Sequence, residues 1–237
     1  VVGFHNRTPQ RVAMCTRGRL HMKTIAVISQ KGGAGKTTLA LNLACAAERA
    51  GLATAVVDLD PQASAKGWHD QRQQDAPAVI SAQAARLPEV IETARLHGAA
   101  LVILDTAPHS EATALAAARA ADLILIPCRP AILDIRAIAT SADVAALAKK
   151  QAVAVLNAVP PQGRLPEEAE DAIRSYGLIV APVRLGQRAA FVHSLTLGQT
   201  AIEFEPLGKA AQEVATLFEW ACEHVGLSTR DQTRRSA

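Results

Sequence analysis

One short stretch of this chain carries the clearest chemistry. An apolar run ends at Ser29, and Gln30-Lys31-Gly32-Gly33-Ala34-Gly35-Lys36-Thr37-Thr38 follows it. Glycines at 32, 33 and 35 let the backbone turn so that successive N–H groups face one concavity. The helix expected next adds the positive end of its dipole. Such a cradle binds phosphate through Gly32, Gly33, Ala34, Gly35 and Thr38. Lys36 is placed to reach the β- and γ-phosphates of a nucleotide, and the Thr37 hydroxyl to ligate Mg²⁺. The general pattern GxxxxGK[ST] asks for glycine at 30. This chain has Gln30 there, then Lys31 and a double glycine.

Two later apolar runs end in acids. Val56-Val57-Asp58-Leu59-Asp60-Pro61-Gln62 closes the first, and Leu101-Val102-Ile103-Leu104-Asp105-Thr106-Ala107-Pro108 the second. Carboxylates at strand ends lie beside a bound phosphate, where a metal ion and an attacking water are held. Alone, Asp-Leu-Asp-Pro reads equally well as a strand-ending turn; one strand–helix unit after the phosphate loop, it reads as part of a site. Asp105 fits the Walker B form, an acid that holds Mg²⁺, commonly through water. His69, His97, His109 and His193 lack metal-ligand spacing and read as surface or capping residues. Cys15, Cys45, Cys128 and Cys222 form no CxxC pair and read as buried reduced thiols.

Strands and helices must position these groups. Strand-like runs cover Ile25–Ser29, Thr54–Asp58, Leu101–Asp105, Leu123–Pro127, Ala152–Asn157 and Leu178–Val183. Alanine-rich helical stretches fall near 37–50, 64–74, 87–97, 111–120, 132–149, 166–175, 187–197 and 207–225. The strands are continuously apolar, as a sheet covered on both faces requires. Strand–helix alternation predicts an α/β fold: a doubly wound, mainly parallel sheet with helices on both faces. Ligands of such sheets sit at the carboxyl ends of the strands.

The chain has 237 residues, of which 49% are hydrophobic and 20% charged. That supports one large core and excludes a disordered chain. The formal net charge is +3, which by itself suggests an anionic partner. Residues 1–21, however, hold Arg7, Arg11, Arg17 and Arg19 with no acid, and 228–237 hold Arg230, Arg234 and Arg235 against Asp231. The body 22–227 therefore sums to −3. Three parts are expected: a basic extension over 1–21, a phosphate-loop domain over 22–227 and a polar tail over 228–237. Met22 reads as a natural start, with a basic arm touching an anion as the alternative. No apolar run spans a bilayer and residues 1–21 lack the apolar middle of a signal peptide. A cytoplasmic protein is expected.

KGGAGKTT resembles the deviant phosphate loop of the ParA/MinD group of P-loop ATPases, and DLDPQ and LDTAP resemble that family's second and third motifs. RAAF at 188–191 and GQTAIE at 198–203 resemble its late RxxF and GxxVxE patterns, so the likeness covers nearly all of 23–225. The resemblance implies ATP and Mg²⁺ as cofactors, with a metal shell of Thr37, Asp58 and Asp105. It implies that Asp60 orients the hydrolytic water and that Lys31 reaches the partner's phosphates across a homodimer formed on ATP. Lys31, Lys36 and Asp60 are then the catalytic set. Asn157 hydrogen-bonds the adenine, Pro182 to Arg184 line the base, and the Pro127–Pro130 segment moves with nucleotide state. No room precedes the phosphate loop for a helix-turn-helix, so the resemblance is to short ParA proteins. These implications predict a partitioning ATPase that binds non-specific DNA on the nucleoid and is stimulated by a ParB-like partner, for plasmid or chromosome segregation. Candidate DNA contacts are Arg184, Arg188, Lys209 and the tail arginines. The alternative is a MinD-like ATPase positioning a membrane or a protein cluster. A membrane surface is disfavoured, because residues 217–225 carry acids and no basic amphipathic face. A metabolic synthetase or iron–sulfur carrier is further off, lacking a second substrate motif or a CxxC.

Overall fold

The structure, a computed structural model, describes residues 21–228. The rest of the expected basic extension and polar tail, Cys15 and the tail arginines lie outside the described residues. Among the described residues there are seven strands: β1 (Lys23–Val27), β2 (Thr54–Asp58), β3 (Ala78–Ser81), β4 (Leu101–Asp105), β5 (Leu123–Cys128), β6 (Ala152–Leu156) and β7 (Ile179–Val180). They form one sheet in the order β3-β2-β4-β1-β5-β6-β7, and every pairing is parallel. The helices are α1 (Lys36–Arg49), α2 (Ser64–Gln71), α3 (Leu87–Leu96), α4 (Glu111–Ala120), α5 (Ile132–Ala148), α6 (Leu165–Ser175), α7 (Ala189–Thr196), α8 (Ala201–Phe204) and α9 (Lys209–Val225).

Side chains alternate across a strand, so each central strand feeds two cores. Ile25 and Val27 of β1 join one core with α1, α2 and α7 to α9. Ala26 and Ile28 join the other with α3 to α6. Every residue of β2, β4, β5 and β6 is buried, which accounts for their continuously apolar sequences.

Two elements lie beyond the sequence expectation. Strand β3, Ala-Val-Ile-Ser, is a four-residue edge with exposed ends, too short to stand out as an apolar run. Helix α8 has only four residues. Helix α2 ends at Gln71, earlier than position 74, because Arg72 turns to extended backbone.

The parallel register gathers the chemistry at one end of the sheet. Asp105 pairs with Val27 of β1 on one side and with Asp58 of β2 on the other. On the far side of β1, Cys128 of β5 stands level with Leu156 of β6. The loops leaving β1, β2, β4, β5 and β6 thus meet over one region.

Candidate functional site

The site begins with the turn from β1 into α1. Gly35 caps α1 at φ 93° and Gly33 lies at φ 71°, values that favour glycine. No side chain caps α1 and its first turn holds no acid. The N–H groups that open this helix are therefore available to an anion. Lys36 is the first residue of α1 and is 7% exposed. Its ammonium donates to the Lys31 carbonyl at 3.3 Å. Burial pushes the Lys36 pKa down, while Asp105 and Asp60 pull it back up.

Asp105 is fully buried, and neither of its carboxylate oxygens has a hydrogen-bond partner among the described residues. Burial raises its pKa to about 7; the nearby Thr37 hydroxyl opposes the rise, Asp58 adds to it, Lys36 opposes it and Asp60 adds to it. A buried carboxylate left this way is costly unless a cation satisfies it. A carboxylate with a threonine hydroxyl beside it, next to a phosphate cradle, is a donor set that suits a hydrated Mg²⁺. The residues present fit Mg²⁺ bound with a nucleotide.

Asp58, expected in the metal shell, is held by backbone N–H groups. Its Oδ2 accepts the N–H groups of Ala65 and Lys66 at 3.0 and 3.1 Å, and its Oδ1 accepts the Asp60 N–H at 3.1 Å. Both oxygens are thus engaged with backbone, one opening α2 and the other shaping the Asp60 turn. Burial still raises the Asp58 pKa, with those three N–H groups opposing. Asp60 is half-buried and its Oδ1 accepts the Gln62 N–H at 2.9 Å.

Two side chains from the opposite half of the sheet fasten the phosphate loop. Asn157, just past β6, donates its Nδ2 to the Ala34 carbonyl at 2.8 Å, and its Oδ1 accepts the Ala158 N–H at 2.9 Å. The expected adenine contact would draw on an amide already engaged with the loop. A Cβ on Gly35 would fall 2.2 Å from that Nδ2, so glycine is required there by space as well as by φ. Arg129, just past β5, donates its Nη2 to the Gly33 carbonyl. Sequence reasoning placed Arg129 only within a moving loop.

Arg184 pairs with Glu167 and Glu170 of α6 at 2.8 and 2.7 Å. Arg188 pairs with Glu213 of α9. Both were candidate DNA contacts, and each charge is paired with an acid within the fold. Pro182, Arg184 and Lys209 line one side cavity of about 850 Å³ together with Val183 and Glu213. His69, expected at the surface, is half-buried with its Nδ1 unpartnered among the described residues. Burial pushes the Cys45, Cys128 and Cys222 thiols up to about 12.

A second polar centre escaped the sequence reading. Arg72, just past α2, forms a two-pronged pair with Glu203 of α8 at 2.8 and 3.2 Å. Glu203 also completes a capping box with Thr200 at the start of α8. The Thr-x-x-Glu spacing is a legible helix-start signature and would have located α8.

The model of the CobQ/CobB/MinD/ParA nucleotide binding domain matches residues 25–193. The "Maintenance of carboxysome distribution protein A" of Gloeobacter kilaueensis is 43% identical over 115 residues, which are 48% of this chain and 52% of that protein. The match thus spans about half the length of that relative. The protein of the same description from Halothiobacillus neapolitanus is 26% identical over 200 residues, covering 80% of this chain and 91% of that one. Among solved structures, the septum site-determining protein MinD complexed with Mg-ADP from Pyrococcus horikoshii superposes with a TM-score of 0.69 at 21% identity, over 86% of this chain and 98% of that one. The parallel sheet, the glycine-rich turn that opens α1 and the match over residues 25–193 agree: the chain belongs to the CobQ/CobB/MinD/ParA nucleotide-binding family.

Proposed function

We propose that this chain is a ParA-like partitioning ATPase that hydrolyses ATP with Mg²⁺ and forms a homodimer on ATP. The observation that carries this is the meeting of the uncapped start of α1 with the buried, unpartnered Asp105 carboxylate. Lys36 and the loop N–H groups from Gly32 to Thr38 hold the phosphates and neutralise charge that builds on them as the bond breaks. Thr37 and Asp105 would hold hydrated Mg²⁺, which would supply Lewis-acid charge to the bound phosphates. Asp60 orients the attacking water and takes its proton. Asp58 acts one step back, fixing the Asp60 turn and the start of α2. Lys31, half-buried and paired with no carboxylate among the described residues, reaches the phosphates of the second subunit.

On this reading the ATP dimer binds non-specific DNA in the cytoplasm, a ParB-like partner triggers hydrolysis, and the cycle segregates a plasmid or chromosome. A second reading, positioning of a protein cluster, is favoured by the two carboxysome-distribution relatives. A membrane partner is the less favoured one. Among the described residues no helix is long and apolar enough to cross a membrane.

The test is sedimentation with non-specific DNA and with liposomes, with and without ATP, at two salt concentrations, beside a phosphate-release assay. ATP-dependent, salt-sensitive pelleting with DNA is the expected result. Pelleting with liposomes alone overturns the DNA reading, and no phosphate release under any condition overturns the ATPase reading.

A further inference from the structure

Arg129 lies 96 residues from Gly33 in sequence and touches it in space. The corner that carries it is well fixed. Its carbonyl accepts the Ala131 N–H at 2.8 Å and the Cys128 thiol at 3.3 Å. The Cys128 carbonyl accepts the Asn157 N–H at 2.8 Å, tying the corner to β6. Pro130 follows and disfavours a helical conformation at Arg129. Helix α5 begins two residues later, at Ile132.

The guanidinium has five N–H groups, and one contact accounts for its hydrogen bonding among the described residues: Nη2 to the Gly33 carbonyl. It pairs with no carboxylate among them, whereas Arg184, Arg188 and Arg72 each do. A carbonyl accepts a hydrogen bond but does not neutralise a charge. The Gly33 φ of 71° favours glycine, and the arginine Nη2 lies within ordinary contact, 3.5 Å, of where a Cβ would stand. The fold thus holds a third cation against the phosphate loop, beside Lys31 and Lys36. Like charges held together favour an anion among them, and the planar fork of arginine suits phosphate oxygens. In sequence Gly33 stands midway between Lys31 and Gly35, the residue that caps α1.

We propose that Arg129 is a nucleotide-sensing residue, which donates to the terminal phosphate of bound ATP and thereby distinguishes ATP from ADP. This rests on the phosphate-site reading above and adds a residue to it. Because the same corner opens α5, whose Ile132 and Leu133 are 60% and 63% exposed, contact with the terminal phosphate also links nucleotide state to the position of that apolar helix start.

The experiment measures the affinity of the full chain for a non-hydrolysable ATP analogue and for ADP, both with Mg²⁺. The variants are Arg129→Gln, Arg129→Lys and Lys36→Ala, each checked by circular dichroism and thermal melting. Arg129→Gln is expected to weaken the ATP analogue by about tenfold or more, the loss of one charge-assisted hydrogen bond, while ADP changes by less than about threefold. Arg129→Lys keeps the charge and falls between. Equal weakening for both nucleotides assigns Arg129 to clasping Gly33 alone and overturns the proposal, as does no change for either. If Arg129→Gln fails to fold, Arg129→Lys makes the same distinction by its ATP-to-ADP ratio. Lys36→Ala loses both nucleotides; if it binds them normally, the phosphate site itself falls, and this inference with it.

Discussion

Arg72→Ala should destabilise the chain severely without touching a phosphate. The Arg72 side chain is 3% exposed and its partner Glu203 is 20% exposed. Beyond the two-pronged pair, its Nη1 donates to the Gly198 carbonyl at 3.0 Å, its Nη2 to Ala76 at 2.6 Å and its Nε to Gln74 at 3.1 Å. The guanidinium also lies 4.5 Å over the Trp68 ring. Removing it leaves Glu203 with its Thr200 hydrogen bonds but no positive partner, and takes the donor from the Gly198 carbonyl between α2 and α8. Breaking one side of a buried pair costs about 3–5 kcal/mol. For a domain of this size that lowers the melting temperature by about 6–20 °C. Denaturant titration at pH 7, followed down to acid pH, measures it. The sign with pH follows from Glu203. Burial is the largest single influence and works to raise its pKa, but the hydrogen bonds and charge of Arg72 together with the hydrogen bonds from Thr200 outweigh it, so the carboxyl lies below its ordinary 4.5. A depressed carboxyl contributes stability that is present above 4.5 and is lost as pH falls through the folded-state value. The gap between wild type and Arg72→Ala is therefore full at pH 7 and narrows below 4.5. Arg72→Lys restores little, lacking the planar fork. A loss below about 1 kcal/mol, as for an exposed pair, or a gap that widens on acidification, refutes the reasoning.

Three other substitutions probe the phosphate end of the sheet. Gly35→Ala meets Asn157 at 2.2 Å and must hold φ 93°, so it should cost about 1–3 kcal/mol and weaken nucleotide binding; wild-type melting and affinity together would contradict the geometry. Lys31→Ala should bind ATP yet remain monomeric in light scattering with ATP, and a dimer of normal strength would remove Lys31 from the subunit contact. Asp60→Ala should retain ATP and release phosphate at least about a hundredfold more slowly, the scale of a positioned general base; unchanged turnover would reassign the water.

The parts of the fold visible in sequence were those whose signal is local. Thr54–Asp58 and Leu101–Asp105 match their expected bounds residue for residue, because strands buried on both faces advertise themselves as unbroken apolar runs. The phosphate loop was equally legible, since glycine spacing and a following helix are both properties of neighbouring residues. What stayed hidden depends on chain return. Arg72 and Glu203 are 131 residues apart, and nothing near either names the other. Asp58 reads as a metal acid from its strand end alone; only the return of the chain at Ala65 and Lys66 reveals that its oxygens meet backbone. Strand β3 lies at a sheet edge, and its apolar run of Ala-Val-Ile is too short to stand out.

The start of α1 has a consequence for folding. A buried lysine stands at the positive end of that helix, with no cap and no acid in the first turn. This is a like-charge arrangement that lowers the stability of the empty fold. An anion that relieves it binds the folded chain and not the unfolded one, so occupancy feeds directly into the folding equilibrium. At a hundred times its dissociation constant such a ligand adds about 2.7 kcal/mol. The local deficit that makes the site thus makes the thermal stability of the whole sheet a gauge of its own ligand concentration.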